Sequence, residues 1–137
     1  MNQALSIHPE MQSLVRIAET GARAALKLGQ DLQPMLIGPG KSGPVIVAIH
    51  AEKDDVPAAL RRAVAEFNLE RFVFVREARI TAEAAWCLLV TLFDGQTWSY
   101  LAAGIQDLPG GQREAGRLQS VPLAFDPVRD GMARVQA

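Results

Sequence analysis

The feature that most constrains this chain is a pair of apolar segments either side of Asp94-Gly95, within AAWCLLVTLFDGQTWSYLAAG. Asp-Gly supplies the left-handed central residues of a tight hairpin, and the flanking runs are rich in strand formers. The chain must therefore hold an antiparallel pair whose segments are apolar on both faces, and other elements must cover it. With a two-residue loop at Asp94-Gly95, Phe93 faces Gln96, Thr91 faces Trp98 and Leu89 faces Tyr100. Aromatic rings then oppose smaller partners on one sheet face.

Two helices are expected to supply cover. The first spans about Pro9 to Leu28, with Pro9 at the first helical position, where its missing N–H costs nothing. Met11, Leu14, Val15, Ala18, Ala22, Ala25 and Leu26 recur at helical spacing, and Gln12, Arg16, Glu19, Arg23 and Lys27 fall opposite. Gly29 is its stop. The second runs from Val56 to Asn68, capped by Asp54 or Asp55, with Pro57 in its first turn and Val56, Leu60, Val64 and Phe67 on its buried face. Asn68 suits the left-handed conformation that ends it.

Three further apolar runs read as strands: Met35 to Ile37, the β-branched Val45 to Ile49, and RFVFVREARI from Arg71 to Ile80. The last is apolar on both faces at first, then carries Arg76, Glu77 and Arg79 as it leaves the core. From Ile105 onward QDLPGGQREAGR reads as loop, LQSVPLAF as a short edge strand that tolerates Pro122, and DPVRDGMARVQA as a helical turn or tail.

The element order is α-β-β-α-β-β-β with an irregular tail. The expected fold is a single α+β domain over residues 1–137, compact from about 9 to 104. It is a two-layer sandwich, with both helices on one face of a five-stranded, mainly antiparallel sheet. The strands flanking the second helix are expected to run parallel through a crossover. This order, over Pro9 to Gly104, resembles that of roadblock-like and profilin-like domains, many of which are dimerisation or scaffold modules. FVFVREARI and the Asp-Gly hairpin also resemble parts of small bacterial α+β proteins of unassigned function. The resemblance is one of topology and transfers no site.

Composition narrows the function classes. Apolar residues at 49% and charged residues at 21% of 137 fit a globular core and exclude a disordered chain. A net charge of −1 gives no global field for nucleic acid or anionic membrane, and Arg61, Arg62, Arg113 and Arg117 form no basic stripe. Cys87 is the only cysteine, so neither an internal disulfide nor a thiolate zinc cage can form. MNQALSIHPEMQ lacks a basic region followed by an apolar core, and no apolar run has the length of a membrane span. A bacterial cytoplasmic protein is expected, without a cofactor or bound metal.

The sequence offers several incomplete catalytic motifs. Gly40-Lys41-Ser42 looks like the end of a phosphate-binding loop, but that motif needs a glycine where Met35 stands and a helix where Gly43-Pro44-Val45 follows. A hairpin turn is expected instead, with Lys41 in solvent. His50-Ala51-Glu52 matches half of the zinc-deaminase signature and lacks the P-C-x-x-C half. His50, Glu52, Asp54 and Asp55 have ligand types for a hard or borderline ion, yet a strand end and a helix cap are polar anyway. Cys87, in an apolar strand, reads as an inert thiol, and no G-x-S-x-G elbow is present.

No catalytic residue is therefore assigned. The expected function is a non-enzymatic interaction or dimerisation module that binds itself or another protein. The alternative is a small-molecule binder or enzyme with Arg76, Glu77, Arg79, Trp86, Trp98 and Tyr100 as its ligand site. Arginines there would hold a carboxylate or phosphate between aromatic walls.

Overall fold

The structure, a computed structural model, describes residues 9–52, 55–79, 84–123, 126 and 129–130. It is α+β, with the helices α1 (Pro9–Lys27) and α2 (Val56–Glu66) and one curled antiparallel sheet. The strands are β1 (Met35–Gly40), β2 (Gly43–Ala48), β3 (Phe72–Ala78), β4 (Cys87–Phe93), β5 (Trp98–Asp107), β6 (Arg113–Ala115) and β7 (Gln119–Ser120). Their order is β2-β1-β3-β4-β5-β6, and β7 also pairs with β5. No helix among the described residues is long and apolar enough to cross a membrane.

Both helices end as their sequences dictate. Gly29 sits at φ 73°, with Gln30 N–H bonded to Ala25 C=O and Gly29 N–H to Leu26 C=O. Asn68 does the same for α2 at φ 57°, with Leu69 N–H on Val64 C=O. These are Schellman closures, which satisfy carbonyls the helix leaves open. Asp55 stands at the start of α2, but its side chain makes no capping hydrogen bond. Asp54 lies outside the described residues.

The two-layer expectation needs correction, because the helices lie on opposite faces. Strand residues alternate between faces, so Val73 and Val75 oppose Phe72 and Phe74. Val73, Val75, Leu88, Val90 and Leu101 pack with Leu14, Ala18, Ala22 and Leu26 of α1. Leu36, Phe72 and Phe74 pack with Val56, Leu60 and Ala63 of α2. Cys87, Leu89, Tyr100 and Ala102, on the same face as α2, are covered by Val121 and Leu123 from the C-terminal segment. Among the described residues the sheet also has seven strands rather than five: β5 continues to Asp107, the stretch read as loop returns through a 3-10 turn at Pro109–Gly111 to add β6, and β7 falls within LQSVPLAF, the stretch read as a short edge strand. Leu118 and Ala115 anchor that return in the core under α1.

The β1–β2 hairpin has only Lys41 and Ser42 in its turn, with Gly40 opposite Gly43. Gly43 takes φ 133°, and a Cβ on Gly40 would lie 2.6 Å from the Gly43 carbonyl oxygen. A strand follows the turn, so no helix N-terminus faces Lys41. Ile49 N–H donates to Pro34 C=O at 2.8 Å, which fixes the alternation of the ladder. Gly40/Gly43, Gly38/Val45 and Leu36/Val47 are then the hydrogen-bonded pairs. Pro39 opposes Pro44 in a non-bonded pair, where the ladder asks for no N–H. Because this hairpin keeps β1 beside β2, the chain steps over β1 on its way through α2. β2 and β3 do run parallel, with β1 between them.

The β4–β5 register differs from the expected one by two residues. Phe93 pairs with Trp98, Thr91 with Tyr100 and Leu89 with Ala102. The cause is the Asp94 carboxylate, which accepts from Gln96 N–H at 2.8 Å, Thr97 N–H at 2.7 Å and Thr97 Oγ1 at 2.8 Å. Asp94 therefore precedes the turn instead of entering it, and Gly95 at φ 103° becomes the first central residue. A two-residue shift preserves the faces, so Tyr100 and Trp98 stay on the face expected for them.

Candidate functional site

The six residues expected to form a site fall in four places. Glu77 lies on the α1 side of the sheet, where both its oxygens accept from Arg113 of β6, at 3.0 and 2.8 Å. Arg113 also donates to Gln30 C=O at 2.9 Å, so this pair ties β3 and β6 to the end of α1. Trp98 joins Phe72 and Phe93 in an aromatic cluster, with centroids 5.7 and 4.7 Å away. Arg79 is exposed and stacks over the half-exposed Trp86 ring at 4.9 Å.

Arg76 and Tyr100 do meet, through Asp126. Alternation places Arg76 on the face of Phe74 and Leu89, with its guanidinium 5.6 Å from the Phe74 ring centroid. Tyr100 Oη donates to Asp126 Oδ2 at 2.7 Å, and both residues are buried. Arg76 Nη2 lies 3.8 Å from Asp126 Oδ1, beyond hydrogen-bond length. Among the described residues, Arg76 Nε is buried without a hydrogen-bond partner. Asp126 is held by its neighbours: its N–H reaches Asp130 Oδ2 at 3.3 Å, and Asp130 N–H returns to Asp126 C=O at 2.9 Å. Arg129 lies over the Tyr100 ring at 6.0 Å, bonded to Asp130 and to Leu123 C=O.

Burial sets the electrostatics of this cluster. It lowers the Arg76 pKa, opposed by the charge of Asp126 and the proximity of Tyr100 and Cys87. Burial raises the Tyr100 phenol, helped by its hydrogen bond to Asp126. Burial also pushes the Cys87 thiol up, against the pull of Arg76, so the thiolate is disfavoured. The cluster can hold an anion, but it offers no activated nucleophile.

Elsewhere, His50 and Glu52 are both exposed, and Glu52 accepts from Asp55 N–H through its backbone carbonyl. Among the described residues, no three His, Cys, Asp or Glu side chains gather as a metal site would need. A hollow of about 400 Å³ lies between α2 and the β4–β5 turn, lined by Val64, Leu69, Arg71, Phe93 and Asp94. It holds none of the six expected residues.

The sheet's two edges differ. Along β5, the β6 and β7 strands have three and two residues, and β6 carries Arg113 and Glu114. At the other end β2 is six residues long, GPVIVA, with no charge and with Ile46 55% exposed. Among the described residues, nothing pairs with its outer side. By the alternation fixed at Pro34/Ile49, the backbone groups of Pro44, Ile46 and Ala48 point outward. Sequence reading passed over this edge because Val45 to Ile49 has the composition of a central strand, and over Asp126 because nothing local marks a tail aspartate as a core residue. No family model, curated protein or solved structure matches the chain.

Proposed function

We propose that this chain is a non-enzymatic interaction module of a bacterial cytoplasmic protein and that it pairs with a second copy through β2. The observation that carries this reading is the open, uncharged edge at β2, beside an opposite edge closed by short strands. Exposed edges with branched apolar residues are templates for strand addition, and proteins usually blunt them with charge or cover. Within β2, Pro44 is the blunting residue, and it stands near the start of the strand, where a missing donor interrupts the edge least. With a two-fold axis at Ile46, Ile46 N–H and C=O bond their equivalents in the other copy. Each Ala48 N–H then reaches the other Pro44 C=O. Pro44 has no N–H to return to the other Ala48 C=O, so that one bond is missing at each end of the ladder.

Ile46→Lys is the test. Burying the exposed half of Ile46 contributes about 1 kcal/mol per copy, so its loss twice over weakens association about 30-fold. Two lysines facing each other across the axis add repulsion. Sedimentation velocity over micromolar concentrations should show a wild-type dimer and an Ile46→Lys monomer, both with native circular dichroism. A wild-type monomer throughout that range, or equal dissociation constants for the two proteins, would refute the proposal. The alternative, a small-molecule binder or enzyme, draws support from the convergence of Arg76 and Tyr100 on Asp126.

A further inference from the structure

We infer that the sheet face around Arg76 is a binding site for a monocarboxylate with an apolar body, and that Asp126 fills this site from within the chain. The inference deepens the alternative reading above by naming the ligand class, and it stands or falls independently of pairing at β2.

Three observations carry it. First, Arg76 is a cation set into apolar surface. Phe74 lies under its guanidinium, and Leu89 and Ala102 follow in register on the same face. Second, part of its hydrogen-bonding capacity is unused. Nε has no partner among the described residues, and the closest acid oxygen is 3.8 Å away, so Asp126 supplies charge without filling the guanidinium fork. A free carboxylate can engage that fork with two parallel hydrogen bonds. Third, the group now in the site is itself a carboxylate, oriented by the Tyr100 hydroxyl at 2.7 Å. Asp126 arrives on the C-terminal segment, whereas Arg76 and Tyr100 are fixed on adjoining parts of the sheet. The side chain of Arg76 keeps 22% of its surface exposed, so solvent reaches it.

The ligand's charge follows from the neighbours. Among the described residues, Arg129 is the other cation at this face, and it is engaged by Asp130 and by Leu123 C=O. One guanidinium beside two aspartates favours a singly charged planar anion over a phosphate dianion. The apolar floor favours a ligand with a hydrophobic body.

Benzoate is the probe, titrated calorimetrically into wild type, Asp126→Asn, Asp130→Ala and Arg76→Met, with inorganic phosphate as the comparison anion. If Asp126 fills the site nine-tenths of the time, its removal tightens benzoate binding about tenfold. Asp130→Ala releases the Asp126 N–H and gives a smaller gain in the same direction. Arg76→Met abolishes the binding. Circular dichroism identifies the variants that fold, and Asp130→Ala carries the test if Asp126→Asn does not. Equal benzoate affinity in wild type and the folded aspartate variants would overturn the inference. So would binding that survives Arg76→Met, or no saturable heat in any folded variant. Phosphate binding more tightly than benzoate would overturn the assignment to a carboxylate.

Discussion

Replacing Asp94 with Ala removes three hydrogen bonds from the β4–β5 turn at once: those from Gln96 N–H, Thr97 N–H and Thr97 Oγ1, all between 2.7 and 2.8 Å. Buried bonds to a charged acceptor contribute roughly 1.5–3 kcal/mol each, but water replaces the carboxylate readily at an exposed turn. About 0.5 kcal/mol per bond is the appropriate scale here, hence a loss of about 1.5 kcal/mol at neutral pH. For a chain of this size that lowers Tm by roughly 5 °C. The effect also carries a pH signature. The backbone N–H groups of Thr97 and Gln96 hold the Asp94 carboxyl below its ordinary 3.8. A depressed folded-state value means the stabilisation is complete above the unfolded value and disappears as pH falls through the folded one. Urea denaturation of wild type and Asp94→Ala at pH 7 and at about pH 2 should therefore show a gap that narrows in acid. An equal gap at both pH values would show that Ala acts on the unfolded chain or the turn backbone, and the carboxylate argument would fail.

Other substitutions probe the remaining structural claims. Lys41→Ala should change stability by no more than about 0.5 kcal/mol, and calorimetry should detect no nucleotide or phosphate binding that depends on Lys41. Gly40→Ala should cost more than about 1 kcal/mol in chemical denaturation, because its Cβ would meet the Gly43 carbonyl oxygen at 2.6 Å. Glu77→Ala leaves Arg113 without its two-point partner and should cost about 1–2 kcal/mol; Glu77→Gln, which keeps one acceptor, should cost less.

How much was legible depended on whether the signal was local. Both helix ends were readable because Gly29 and Asn68 sit where only a left-handed residue closes a helix. The β4–β5 hairpin was legible as a hairpin, but its register depended on whether the Asp94 side chain or its backbone would organise the turn, and Asp-Gly permits both. The placement of the helices was hidden. Val73 and Val75 are as apolar as Phe72 and Phe74, so alternation shows two buried faces without saying which helix each receives. The loop-like texture around Pro109 concealed β6, whose short ladder needs few apolar residues because β5 supplies the partner. Strand alternation puts Arg76 and Glu77 on opposite faces, opposite Leu89 and Leu88 in the register. Their partners, Asp126 and Arg113, come from distant parts of the chain, and nothing near Arg76 or Glu77 announces them.

The unequal edges of the sheet have a consequence for assembly size. A surface that pairs with itself about a two-fold axis is consumed by one event, and the contact is isologous. Open-ended growth would require a second, different edge able to accept β2. The β5 edge offers the three residues of β6, with Arg113 and Glu114, and the two of β7. It gives β2 neither the length nor the uncharged surface to dock against. Pairing at β2, as proposed, would therefore stop at two copies, whereas the same apolar edge in a sheet open at both ends would propagate a filament.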